Sequence, residues 1–205
     1  MPDQNSQNDA HALDAGAILT AEFEYIAGSA FQANEDRARV SNFYIVSVGS
    51  LVAAALTTQT GGADAGSTLH IPVYWIFSAP FIILSLTGLS TTIQLAQLRI
   101  AWSHSLVAMN RIKEYAAGHV NLPDFGDAFL WTNAQRPPLY KPRSISFLLA
   151  LQVALLGGCT FAAAILSAGL NYGKWLWVWA IIGGILFVIL QLAAYRALLT
   201  AEGAK

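Results

Sequence analysis

Three glutamines, Gln94, Gln152 and Gln191, interrupt long apolar runs in this 205-residue chain. A side-chain amide both donates and accepts hydrogen bonds. Three of them at one depth in an apolar layer would hold a polar solute or tie helices together. Interhelical bonding that fixes packing is the expected use, and a polar substrate layer is the sharper alternative. The other chemistry-bearing residues are scattered. His11, His70, His104 and His119 have no acidic or histidine neighbour at metal-ligand spacing. Asp124 and Asp127 are expected to be solvated rather than to hold a divalent ion. The one cysteine, Cys159, has no partner in the chain and is expected as a small buried hydrophobe. The glycine-rich stretch at 59–70 has no following Lys-Ser/Thr, so it is no phosphate loop. No Asp, Glu, Lys, Arg or His stands well inside an apolar run, which argues against a proton-coupled transporter, an ion pump or an intramembrane hydrolase. The pattern predicts no catalytic residue, no metal, no cofactor and no enzyme.

The elements that must position these residues are membrane helices. The chain is 55% hydrophobic and 11% charged, against about 25% charged for a soluble domain. The charges gather at the termini and in the middle, which leaves four blocks able to span. Spans are predicted at about 42–58, 71–96, 144–170 and 175–198. The expected fold class is therefore all-α, a polytopic membrane protein with four transmembrane helices and helical cytoplasmic extensions. Residues 1–18 are expected as a disordered tail without a signal peptide's basic and apolar regions, so the first span would be an uncleaved anchor. Residues 19–199 form a single four-helix membrane domain, and 200–205 a C-terminal tail. Pro80 predicts a kink in the second span. Gly157-Gly158 and Gly183-Gly184 predict close packing of spans three and four. Trp175, Trp177 and Trp179 read as an interfacial aromatic cluster.

The second span runs on without a breaker from Ile71 to about Ala117. As one helix it would be roughly 70 Å long, against a bilayer core of about 30 Å. Beyond the bilayer, 97–143 is a helical and loop block, with a surface helix expected around Phe125, Phe129 and Trp131. On the overhang, Leu98, Trp102, Leu106, Met109, Ile112 and Ala116 recur at helical spacing. Phe23, Ile26, Ala27, Ala30 and Phe31 do the same on a helix leading into the first span. Trp102, Met109, Ile112, Phe23 and Ile26 are thus the candidate interaction surface. Pairing of the two stripes on each other is favoured over a face left free for a partner protein.

The run Met109-Asn110-Arg111-Ile112-Lys113-Glu114-Tyr115, an acidic-aromatic turn, and then Lys141-Pro142-Arg143-Ser144-Ile145-Ser146-Phe147 resembles small uncharacterised bacterial four-span integral membrane proteins. In architecture alone, residues 20–117 also resemble two-span membrane effector domains of bacterial nucleotide-signalled defence systems. The expected function is non-enzymatic: a structural, accessory or scaffolding subunit of a membrane assembly. The alternatives are a membrane effector that oligomerises into a pore or disrupts the bilayer, and a small-molecule carrier. The expected partners are the lipid bilayer and a protein partner or a homo-oligomer. A net charge of −1 gives no field for nucleic acid.

Ten of the eleven Lys and Arg fall on one side of the predicted spans, with Lys174 alone on the other. The positive-inside rule then places both termini in the cytoplasm of a cell with an inner (plasma) membrane. A phosphatase reporter fused after Asn171 is expected to be active, showing that this turn is exported. The same fusion at the C-terminus is expected to be inactive, and the reverse pattern would overturn the orientation.

Overall fold

The computed structural model describes the backbone of residues 4–60, 73–119, 137–169, 173 and 175–203, and side chains from 16 to 57, from 78 to 119, and in the later segments. Four helices follow one another: α1 (Gln4–Thr60), α2 (Val73–His119), α3 (Ile145–Ala168) and α4 (Leu176–Gly203). No strand occurs among the described residues. All four helices are long and apolar enough to cross a membrane, as in a multi-pass membrane protein. The glycine-rich stretch, His70, Asp124, Asp127 and the expected surface helix at Phe125, Phe129 and Trp131 lie outside the described residues, as does the side chain of His11.

Helix α1 begins at Gln4, inside the stretch expected as a disordered tail. Ala10, Ala12, Ala15 and Ala17 explain the difference, since alanine is the strongest helix former and no proline stands between Pro2 and Pro72. Helix α2 runs unbroken through Pro80 and through Gln97, so the predicted single helix is present, with its start at Val73 and its end at His119. Its 47 residues make it roughly 70 Å long at 1.5 Å per residue.

Contacts divide the chain into two compact units. One joins residues up to Glu35 with Leu98–Leu139. Within it Ile26, Ala30 and Ala33 are buried, while Phe23, Trp102, Met109 and Ile112 are half-buried. Phe31, placed in the stripe by its spacing, is 65% exposed, and Ala33 takes its place. The inward row of α2 in this unit is not the apolar stripe but Arg99, Ser103 and Asn110, one step round the helix. Arg99 lies over the Trp102 ring, 4.4 Å from its centroid. It also donates to the carbonyls of Leu139 at 3.4 Å and Pro138 at 3.5 Å. Those carbonyls belong to a proline-broken segment with no helical donors of its own, which gives a buried guanidinium something to bond. Asn110 is 1% exposed, and its amide has no hydrogen-bond partner.

The second unit is Asp36–Gln97 with Tyr140–Lys205. Ser144 caps α3, its side chain accepting from the Phe147 N–H at 3.2 Å. The α3–α4 connection turns at Gly173, whose φ of 76° favours glycine. The expected glycine packing is present. A Cβ on Gly158 would stand 2.8 Å from the Gly184 carbonyl oxygen, and one on Gly184 would stand 2.9 Å from that of Gly158. Backbone therefore lies on backbone. Gly183 instead makes room for Ile165 and Phe161. Phe161 stacks on Phe187 with ring centroids 4.8 Å apart.

Outward, α4 shows an apolar coat from Val178 to Leu190, with large exposed side chains at 42–65%. Trp175, Trp177 and Trp179 are exposed at its start, where interfacial tryptophans belong. Cys159 is exposed and not buried as expected, because the covered side of α3 at this level is occupied by Gly157, Gly158 and Thr160.

Replacing Gly158 by Val is expected to push α3 from α4 and to lower stability by about 1–3 kcal/mol, read as a lower midpoint of unfolding in detergent. Gly49→Ala, where a Cβ meets nothing within 4 Å, is the control and is expected to leave the midpoint unchanged or to raise it, by up to about 1 kcal/mol of stability.

Candidate functional site

The inward face of α2 carries polar residues at seven-residue intervals, Ser78, Ser85, Thr92 and Arg99, all buried. A seven-residue step is two helical turns, so one side of the helix stays turned inward. Inside the second unit, the middle of this row meets one or more residues from each other helix. The Ser85 and Thr160 hydroxyls are 3.0 Å apart, and Thr160 also donates to the Gly157 carbonyl at 2.9 Å. Thr92 lies 2.9 Å from Gln191 Oε1 and 3.0 Å from the Gly88 carbonyl oxygen. Gln191 is wholly buried, and its amide nitrogen rests where a Cβ on Gly157 would be. From α1, the Tyr44 ring edge and hydroxyl fill the space that a side chain at residue 88 would need.

These residues form one buried cluster: Tyr44 on α1, Ser85, Gly88 and Thr92 on α2, Gly157 and Thr160 on α3, and Gln191 on α4. The glycines serve as seats for the polar side chains. Only a missing Cβ lets a phenol or a carboxamide approach the backbone this closely. Two groups keep spare capacity. The Tyr44 hydroxyl approaches Thr160 without completing a hydrogen bond, and the Gln191 amide nitrogen has no partner. Ser41, one turn from Tyr44, is buried and equally unpaired.

Charge enters this unit at its proline-flanked end. Arg37 is 6% exposed and donates to the Ser146 hydroxyl. Arg196 lies 5.5 Å from the Tyr140 ring centroid. Tyr140 meets Phe147 edge-on at 6.0 Å, and Phe147 meets Tyr195 at 6.5 Å.

The predicted glutamine layer is not assembled. Gln191 is inside, but Gln94 and Gln152 face outward on α2 and α3. The inner partners of Gln191 are hydroxyl and glycine positions that a search for amides passes over. On α2 they belong to the seven-residue recurrence of Ser78, Ser85, Thr92 and Arg99, but Ser90, Gln97, His104 and Arg111 recur in the same way on the exposed side, so spacing alone does not find them. Of the histidines, His104 is exposed, and His119 stacks on Tyr115 at 4.1 Å. The described residues hold no group of three or more His, Cys, Asp or Glu placed to hold a metal ion. No family model matches the chain, and no curated protein or solved structure matches it.

Because its hydroxyl is unpaired, Tyr44→Phe is expected to leave stability unchanged or raise it by up to about 1 kcal/mol. Thr92→Val strands the Gln191 carbonyl and is expected to lower stability by about 0.6–1.7 kcal/mol. Denaturant titration of the two variants in bicelles checks the opposite signs.

Proposed function

We propose that this chain is a non-enzymatic structural or scaffolding subunit of a bacterial inner-membrane assembly, with both termini in the cytoplasm. The observation that carries the reading is how the polar groups of the second unit are used. Ser85, Thr92, Thr160 and Gln191 bond to one another across three helices, and Tyr44 and Gln191 are pressed onto glycine backbone. Polar side chains that fill their own space fix helix packing. A carrier needs such groups turned toward a space for solute, and an ion path needs them along an opening.

The outer surface adds to this. Its apolar coat on α4 suits lipid, while the outward amides of Gln94 and Gln152 suit contact with further helices. Ten of eleven basic residues on one side of the predicted spans support the orientation. The row Ser78, Ser85, Thr92 and Arg99 is buried, so recognition by other proteins falls to the half-buried Trp102, Met109 and Ile112, to the exposed row Ser90, Gln97, His104 and Arg111, and to the outward faces of the spans.

The test is the native mass of the complex extracted from its own membrane in lipid nanodiscs, together with membrane potential during overexpression. The scaffold reading expects a complex of fixed stoichiometry and an unchanged potential. Depolarisation on expression would favour the pore-forming effector. A rise in thermal midpoint with one class of small solute would favour the carrier.

A further inference from the structure

On the side of α3 turned away from the cluster, Ile145, Leu148, Gln152, Leu155 and Cys159 are all exposed. They recur at steps of three, four, three and four, the spacing of a helix–helix seam. Ile145 is 80% exposed, Leu148 54% and Leu155 51%. Gln152 is the one strong hydrogen-bonding side chain in this seam, and it makes no side-chain hydrogen bond among the described residues.

Its level follows from its neighbours. Ser146, which takes the Arg37 guanidinium, marks the charged end of α3. Gln152 is six residues further in, about 9 Å along the helix. Gly157, against which Gln191 rests, is five residues further still. An amide at that level, between leucines, faces lipid with a donor and an acceptor both unmet, an unfavourable state in hydrocarbon. By contrast the outward face of α4 from Val178 to Leu190 is wholly apolar and asks for nothing but lipid. On the outward face of α2 the exposed Ile83 and Leu86 are followed by Ser90, Gln94 and Gln97 in succession, so neither amide there stands between large apolar residues as Gln152 does.

We propose that this face of α3 is a two-fold contact with a second copy of the chain, in which Gln152 of each copy bonds Gln152 of the other. A carboxamide complements itself, since each supplies the donor the other needs. Copies inserted in one direction meet across an axis along the membrane normal, so equal positions face each other at equal depth. Leu148 and Leu155 then pack one turn either side of the amide pair. Cys159 repeats the Gln152 position two turns on and meets its own counterpart. The proposal rests on the assembly reading above and names its partner.

The native chain tests this without alteration, because Cys159 is its one cysteine. Membrane vesicles treated with copper-phenanthroline are expected to yield a dimer on a non-reducing gel, reversed by dithiothreitol. The comparison is the Cys159→Ser chain carrying Ile185→Cys, on the exposed face of α4, which is expected to cross-link at background level. Gln152→Leu is expected to keep the thermal midpoint, because the side chain faces outward, while weakening dimerisation about threefold to twentyfold. Gln152→Asn is expected to restore part of it. Cross-linking at Cys159 no greater than at Ile185→Cys overturns the proposal, as does unchanged dimerisation in Gln152→Leu. A fixed larger mass without a Cys159 cross-link removes the α3 contact and leaves the scaffold reading intact. Depolarisation with the cross-link present removes the scaffold reading and leaves the contact.

Discussion

A membrane helix bonds its own backbone, so what it must still satisfy are the polar side chains it carries. That constraint organises the second unit. Thr92 reaches α4, Ser85 reaches α3, and each bond fixes the rotation of α2 against a different neighbour. Dispersion among leucines and isoleucines has little preference for one rotation over another. A hydroxyl facing an amide has one. The Thr92–Gln191 bond is therefore less a source of stability than a choice of register, in keeping with the modest energies of such bonds in membranes.

The glycines belong to the same logic. Gly88 and Gly157 are not merely flexible points but surfaces against which Tyr44 and Gln191 are placed. Gly158 and Gly184 bring two backbones together directly. Each replaces a side chain by space, and each space is taken by a specific neighbour. Gly49, by contrast, faces nothing, so glycine on these helices has no single meaning.

Helix number was legible in the sequence because long uncharged blocks have few other uses. The length of α2 was legible because, past Pro72, only Pro80 and Gly88 oppose a helix before Gly118. The close contact of α3 and α4 at Gly158 and Gly184 was legible too, since small residues in adjacent helices at like depth leave room for each other, while Gly157 and Gly183 take the side chains of Gln191 and Ile165 instead. What was not legible was which side of a helix faces in. Periodicity in an apolar span carries little information, because lipid and protein interior accept the same residues. Gln94, Gln152 and Cys159 were misplaced by that ambiguity. On the extension of α2 the apolar stripe was real, yet Arg99, Ser103 and Asn110 were the buried row, because a proline-broken segment supplied carbonyls that an arginine satisfies. Polar spacing did not decide it either, since Ser78, Ser85, Thr92 and Arg99 are buried while Ser90, Gln97, His104 and Arg111, at the same seven-residue spacing on the same helix, are exposed.

The α3–α4 turn has a consequence for biosynthesis. Between Gly169 and Trp175 there is too little chain to cross a bilayer apart from the helices that flank it. The two segments must enter the bilayer as a hairpin, with Lys174 the one cation in the turn between them. The Gly158–Gly184 contact lies inside that hairpin, only 26 residues apart along the chain. It is available as soon as the pair is made, before α1 and α2 need to find their places. The longer-range bonds to Ser85 and Thr92 then close onto a template already set.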